Sequence, residues 1–199
     1  MIESLENILQ ILVVTCCLVI AVIRGIARKS RLWLLLTLFY GSWLLGDLYW
    51  VAFLVFFSKT PQISLVSDLS WYASFVFLYM LLRDVSPPGK DGAAKKLRWL
   101  GPIFALGMAL FFIQWGEILG NLVYAGLMGL LLYAAISRIT ERRCVCLASM
   151  ILIFCLLEYG LWFASCFWDS DSVANPYYWF DLLLSICFPF FLPATKKAM

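Results

Sequence analysis

Seven apolar runs of 16 to 26 residues, separated by short charged breaks, most constrain how this chain can fold. An α-helix needs about 20 mostly apolar residues to cross the hydrocarbon core of a bilayer. The sequence therefore predicts an all-α, polytopic membrane helix bundle of about seven transmembrane helices, forming a single transmembrane domain over residues 1–199. The predicted spans lie near residues 5–23, 32–57, 63–82, 99–114, 118–137, 144–167 and 177–193.

The composition indicates that a lipid bilayer, rather than water, surrounds the chain. Of the 199 residues, 64% are hydrophobic and 14% are charged, and the mean hydropathy is +0.92. These values lie outside the range of soluble globular domains. Residues 1–7 carry Glu3 and Glu6 but no basic residue, so they lack the positive segment of a cleaved signal peptide. We expect the first apolar run to remain as a helix.

The basic residues predict the orientation of the chain, because they fall in every second break. These residues are Arg24, Arg28, Lys29 and Arg31, then Arg83, Lys90, Lys95, Lys96 and Arg98, then Arg138, Arg142 and Arg143, and finally Lys196 and Lys197. The other breaks contain Lys59 alone. Cytoplasmic loops are enriched in Lys and Arg, so this alternation predicts an outside N-terminus and a cytoplasmic C-terminus in a multi-pass protein of the cell membrane. Residues 83–98 form the longest predicted cytoplasmic loop.

Several classes of function find no support in the sequence. There is no His, and the net charge is only +3. Neither nucleic-acid binding nor His-based metal binding or acid–base catalysis is therefore expected. The seven cysteines are scattered through apolar runs, which predicts neither a disulfide framework nor a zinc site. No cofactor is predicted.

Local patterns predict some details of the helices. Asn175 and Pro176 are typical of a helix N-cap followed by a first-turn proline, and they should open the seventh helix. Pro189 and Pro193 are expected to kink or end that helix. Small residues at four-residue spacing in the fourth span would let two helix backbones approach closely. These small residues are Gly101, Ala105 and Ala109.

Four acidic residues lie more than one helical turn inside the ends of the predicted spans, and no Lys or Arg accompanies them there. They are Asp47, Asp68, Glu158 and Asp181. On insertion scales an ionised Asp near mid-bilayer costs about 2.5–3.5 kcal/mol, so each acid needs compensation or a functional reason. All four fall in the outer half of the predicted topology. This common depth predicts a cavity that opens outward.

Aromatic side chains with polar tips accompany these acids at helical spacing, as Trp43, Asp47 and Trp50 do on the second span. Crowded carboxylates in a low-dielectric pocket cannot all ionise, so they must either hold protons or be neutralised by a cation. Because Trp and Tyr faces attract cations, the pattern favours a cationic organic ligand or protons over an anion. The predicted ligand-binding residues are Asp47, Glu158, Asp68, Asp181, Trp43, Trp50, Trp71, Tyr72, Tyr159, Trp162, Tyr178, Asn121 and Tyr124.

Two functions fit this pattern. The first is binding of a small cationic or proton-coupled solute, by a transporter or by the substrate-binding membrane component of an uptake system. The second is a seven-helix receptor or sensor that signals through a separate membrane or cytoplasmic partner protein. A structural role also fits, since Trp and Tyr are enriched at membrane interfaces and buried acids can hydrogen-bond between helices.

The pairs Gly46-Asp47 and Phe180-Asp181 resemble the GxGD type of intramembrane aspartyl protease. Such enzymes use two aspartates on neighbouring helices, so the resemblance implies that Asp47 and Asp181 would form a catalytic pair. It departs from that type because position 44 is Leu rather than Gly, and because the glycine-bearing aspartate comes first in the chain. Serine or cysteine hydrolysis lacks a His base. An oxygen-only metal site made by the four acids stays open, but the sequence as a whole favours a protein that is not an enzyme.

Overall fold

A computed structural model describes residues 2–57, 65–86, 96–115, 118–168 and 172–198, with side chains from residue 5 onward. Seven α-helices and no β-strand occur in these residues, so the predicted all-α helix bundle is confirmed. The helices are α1 (Ile2–Arg28), α2 (Arg31–Phe57), α3 (Leu65–Val85), α4 (Leu100–Phe112), α5 (Ile118–Thr140), α6 (Val145–Phe167) and α7 (Pro176–Ala198). The orientation of the termini stays a prediction.

Six of the helices in the described ranges are long and apolar enough to cross a membrane, which supports a multi-pass membrane protein. α4 is the exception, with 13 residues. At 1.5 Å per residue it rises about 20 Å, less than the roughly 30 Å of a hydrocarbon core. A 3₁₀ turn over Leu97–Trp99 precedes it and extends the apolar stretch to Leu97–Phe112.

The six long helices form a closed ring. α1 packs between α2 and α7, α2 packs against α3, and α3 against α5. α5 then packs against α6, and α6 against α7, which completes the circuit. The short α4 lies against α5 on the outside of the ring. Its Phe104 and Phe111 also contact α6, with ring centroids 5.2 Å from Tyr159 and 6.1 Å from Phe163.

An aromatic layer fills the centre of the ring. We call Trp43, Phe75, Phe154 and Phe188, one residue from each of α2, α3, α6 and α7, the aromatic floor. The Trp43 ring centroid lies 5.4 Å from that of Phe154 and 5.1 Å from that of Phe188, and Phe75 lies 6.0 Å from Phe154. All four side chains are buried. Because burial of large aromatic surface and edge contacts between rings are both favourable, this layer holds the ring helices together.

Basic side chains link the helices at one end of the bundle. This end holds the turn between α1 and α2 and the turn between α5 and α6. The buried guanidinium of Arg138 donates two hydrogen bonds to the Ser86 carbonyl, of 2.7 and 3.0 Å. Arg31 forms an ion pair of 2.7 Å with Asp84. These contacts link α5 and α2 to the last turn of α3.

The start of α7 agrees with the prediction, and the helix continues past its two prolines. The Asn175 side chain accepts a hydrogen bond of 2.9 Å from the Tyr177 backbone N–H, so Asn175 is an N-cap. Pro189 and Pro193 lie inside the helix, which continues to Ala198, so they do not end it, and a kink at either proline stays a prediction. Neighbouring helices bury this segment and supply polar contacts to it, as when the Tyr40 hydroxyl donates to the Phe188 carbonyl at 2.7 Å.

All seven cysteines are free thiols. Cys17, Cys155 and Cys187 are buried among apolar side chains, as small hydrophobic residues would be. Cys16 and Cys146 are exposed on the outside of the bundle.

The small residues of α4 permit the close approach that the sequence predicts. A Cβ atom added to Gly101 would lie 2.7 Å from the Leu132 Cβ and 2.8 Å from the backbone nitrogen of Tyr133. Ala105 and Ala109 are buried on the same helix. α4 therefore packs against α5 almost backbone to backbone at Gly101.

We expect Gly101→Ala to lower the thermal unfolding temperature of the detergent-purified protein. The new methyl group must displace backbone atoms of α5, and overpacking of this kind typically costs about 1–3 kcal/mol. Gly107→Ala is the matched control, because nothing lies within 4 Å of a Cβ at that position of the same helix. The helix propensity of alanine should leave the control unchanged or slightly more stable. Equal unfolding temperatures for the two variants would contradict this packing.

Candidate functional site

A cavity of about 380 Å³ lies above the aromatic floor, at the end of the ring that holds the N-terminal part of α1. Sixteen residues line it, and every helix of the ring contributes. They are Asn7, Gln10, Trp43, Asp47, Trp50, Asp68, Trp71, Phe75, Tyr124, Glu158, Leu161, Trp162, Ser165, Tyr177, Asp181 and Leu184. In the described part of the chain, no Lys or Arg lines this cavity. Its volume is typical of a small-molecule site.

The four predicted intramembrane acids all line this cavity. Asp47, Glu158 and Asp181 are only 4%, 8% and 7% exposed. These three carboxyl groups are close enough to interact electrostatically with one another. None of the three forms an ion pair with a Lys or Arg of the described ranges. Asp68, in the first turn of α3, is half-buried.

Asp47 is held by the Trp71 indole, and the Trp43 indole is also within hydrogen-bonding reach of its carboxyl group. The Trp71 Nε1–H donates a hydrogen bond of 3.2 Å to its Oδ1. Its Oδ2 is buried and makes no hydrogen bond with any described residue. Gly46 allows this arrangement, since a Cβ there would lie 2.5 Å from the Trp71 Nε1. A buried acceptor without a donor is costly, so Oδ2 is a place where a bound donor would be stabilised.

Asp181 is held by α1. The Gln10 side-chain amide donates a hydrogen bond of 2.7 Å to its Oδ1, and the Glu6 carboxyl is also within hydrogen-bonding reach. The Trp43 Nε1–H lies 3.4 Å from the Gln10 Oε1, and the Gln10 Nε2 lies 3.4 Å from the Ser185 hydroxyl. Gln10 therefore connects α2 with α7 through α1.

Glu158 faces an aromatic corner. The Tyr124 side chain of α5 interacts electrostatically with it, and the Tyr124 ring centroid lies 5.3 Å from that of Trp162. Phe75 packs edge-on against Tyr124 at 5.8 Å. The Trp162 indole N–H is buried and makes no hydrogen bond within the described ranges. One side of the cavity thus combines Asp47 with indole rings, and another combines Glu158 with an indole and a phenol ring.

Nine of the thirteen predicted site residues line the cavity: Asp47, Asp68, Glu158, Asp181, Trp43, Trp50, Trp71, Trp162 and Tyr124. The structure places the other four elsewhere. Asn121 donates to the Phe112 and Trp115 carbonyls at the end of α4, and the Tyr72 hydroxyl lies 3.3 Å from the Gly120 carbonyl. Tyr159 packs against Phe104 on α4, and Tyr178 against Tyr177. Ligand binding by the nine stays a prediction.

Several residues that line the cavity lie outside the set predicted from the sequence. They are Asn7, Gln10, Phe75, Leu161, Ser165, Tyr177 and Leu184. The contribution of α1 is the main omission, because that span carries no aromatic pattern and its acids, Glu3 and Glu6, lie at its N-terminal end. The one sequence signal in α1 is that Gln10 is the only polar residue between Asn7 and Thr15 in an otherwise apolar run.

Two further features bear on function, a possible oxygen-only metal site and a second groove. Among the described residues, no group of three or more His, Cys, Asp or Glu side chains could hold a metal ion, so an oxygen-only metal site gains no support. A second, apolar groove of about 460 Å³ lies between α4 and α5 and contains no charged residue. A groove of that kind on the outside of a membrane bundle suits lipid chains.

Comparison with protein-family models, with curated proteins and with solved structures finds no match. The chemistry of the cavity is therefore argued from its own residues.

We expect Trp71→Phe to lower the free energy of unfolding by about 1–3 kcal/mol, because it leaves a buried acceptor of Asp47 without its donor. Trp179→Phe is the matched control, since the Trp179 indole donates to the Val173 carbonyl at an exposed position. An exposed donor is replaced by solvent, so the control should change stability by no more than about 0.5 kcal/mol. Thermal unfolding in detergent measures both. Equal losses of unfolding free energy in the two variants would contradict a stabilising role for the buried Trp71 hydrogen bond.

Proposed function

We propose that this membrane protein binds a small organic cation in the acid-aromatic cavity, as a transporter or as the substrate-binding membrane component of an uptake system. The observation that carries the proposal is the composition of the cavity wall. Four carboxyl groups and four indoles line one cavity, and no Lys or Arg of the described chain lines it.

Electrostatics supports a positive ligand. Isolated charges buried away from water cost several kcal/mol each, so Asp47, Glu158 and Asp181 require protons or a cation. A cation that enters would interact with several carboxylates at once and would replace protons held there. This exchange is the physical basis for proton coupling of the bound solute.

The aromatic wall supports an organic cation rather than a bare inorganic ion. Trp50, Trp71 and Trp162 line the cavity beside the acids. Faces of indole rings attract ammonium groups by roughly 0.5–2 kcal/mol each and also cover the apolar part of an organic ligand. Inorganic cations such as Ca²⁺ instead require six to eight oxygen ligands in a compact shell.

The direction of access follows from the predicted topology. The cavity lies at the end of the bundle where α1 begins, and the positive-inside pattern predicts that this end faces outside. The opposite half is filled by the aromatic floor and by buried residues such as Leu36, Leu78 and Phe191. A solute would therefore enter from the outside and meet a closed floor.

The closed floor is also the observation that favours the alternative, a receptor or sensor with a separate partner protein. A transporter must open the floor to pass its solute, whereas a receptor or a binding component of a larger system need not. Uptake of a labelled amine into liposomes that contain the purified protein alone separates the two. Uptake indicates a transporter, and saturable binding without uptake indicates a receptor or a component that requires a partner.

We expect tetramethylammonium and 1-aminobutane to raise the thermal unfolding temperature of the detergent-purified protein, because a ligand that binds the folded state stabilises it by mass action. Asp47→Asn and Glu158→Gln should each weaken the apparent affinity for these cations at least tenfold, as read from the concentration that gives half of the increase. Glu141→Gln is the control, since Glu141 accepts from Ser137 near the other end of α5 and lies outside the cavity.

The control variant should respond as the unmodified protein does, and butyrate, an anion of similar size, should have no effect. Failure of all organic cations to stabilise the protein would contradict the proposal. The same conclusion would follow if the cavity variants responded as the control does.

A further inference from the structure

The cavity has two acidic walls on opposite sides of the ring. α2 packs against α3, and α6 packs against α7, while α1 and α5 separate the two pairs. The wall formed by α2 and α3 carries Asp47 and Asp68. The wall formed by α6 and α7 carries Glu158 and Asp181. Acidic groups therefore face the cavity from two directions.

Each wall also has its own aromatic surface. Trp50 and Trp71, on the first wall, have ring centroids 6.1 Å apart. Trp162, on the second wall, lies 5.3 Å from Tyr124 of α5. Each wall thus combines a carboxylate with an electron-rich ring, the two kinds of group that bind ammonium ions.

The floor of the cavity, below the two walls, is apolar, whereas Asn7 and Gln10 of α1 line the side between the walls. Trp43 and Phe75 of the aromatic floor and Leu184 form this apolar surface. A hydrocarbon chain can lie on such a surface without leaving a polar group unpaired, and the burial of each methylene contributes about 0.8 kcal/mol.

We propose that the solute is an organic dication, with two ammonium groups joined by a short apolar spacer. One ammonium group lies at Asp47 on the first wall, and the other lies between Glu158 and Asp181 on the second wall. The inference rests on the proposed function and names the substrate class of the same cavity.

The hydrogen bonds of the acids provide independent support. One oxygen of Asp47 is fixed by Trp71, whereas its buried Oδ2 has no donor among the described residues. Asp181 is held on the other wall by the Gln10 amide at 2.7 Å. The first wall thus has a buried acceptor that a single ammonium group placed at the second wall would not satisfy.

Charge balance selects against other amines. A monocation compensates one of the three buried acids, Asp47, Glu158 and Asp181, and leaves two that must hold protons. A zwitterionic amino acid would bring a further carboxylate into a cavity that no Lys or Arg of the described chain lines. A dication avoids that repulsion and compensates two of these three acids.

Calorimetric titration of the purified full chain tests the inference with three probes of equal chain length. These are 1,4-diaminobutane, 1-aminobutane and 4-amino-1-butanol, in which a neutral hydroxyl replaces the second ammonium group. We expect the diamine to bind at least tenfold more tightly than either of the others. Because this comparison uses the unmodified protein, it does not depend on the folding of any variant.

Variants locate the two ammonium groups. Asp47→Asn and Asp181→Asn should each bring the affinity for the diamine down to that for 1-aminobutane, and Glu141→Gln should leave the ratio unchanged. Equal affinities of the unmodified protein for all three probes would overturn the dication and leave the proposed function standing. Absence of binding by all three would overturn both.

Discussion

Three carboxyl groups buried together, with no Lys or Arg of the described ranges paired to them, are the constraint on which the rest of this structure depends. Asp47, Glu158 and Asp181 come from three different helices, and each is more than nine-tenths buried. In a medium of low dielectric constant, such groups cannot all carry charge unless something positive joins them. The surrounding side chains hold two of them in place, through the Trp71 indole and the Gln10 amide. These uncharged side chains do not neutralise the carboxylates. A positively charged group is therefore required, and this requirement defines the ligand class that we propose.

The aromatic floor divides the bundle into a polar half, which holds the buried acids, and an apolar half. On one side of the aromatic floor the ring helices present acids, amides and indoles to a shared cavity, and on the other side they present apolar side chains that pack to exclusion of solvent. Phe188 contributes to the floor although Pro189 follows it in the helix, because Tyr40 of α2 and Phe154 of α6 pack against it. Any passage of a solute through the protein requires that Trp43 and its aromatic neighbours separate.

Much of the architecture could be predicted from the sequence, because a bilayer requires long apolar helices and leaves a clear pattern. The same holds for the α2 stripe of Trp43, Asp47 and Trp50, where helical spacing alone places the residues on one face. The role of Gln10 could not be predicted, since a single amide in an apolar run carries no periodic signal. Asn121 has the same polarity as a site residue, yet it caps the end of α4, and that depends on tertiary contacts that no local pattern encodes.

The central claim is that three buried acids share one cation site, and site-assigned ¹³C signals of side-chain carboxyl carbons test it most directly. They would be recorded for the detergent-solubilised protein during titration with 1,4-diaminobutane. The account predicts that the signals of Asp47, Glu158 and Asp181 shift together and saturate at one concentration, while those of Asp84 and Glu141, outside the cavity, stay in place. Signals of the three acids that do not move, or that saturate at different concentrations, would contradict it.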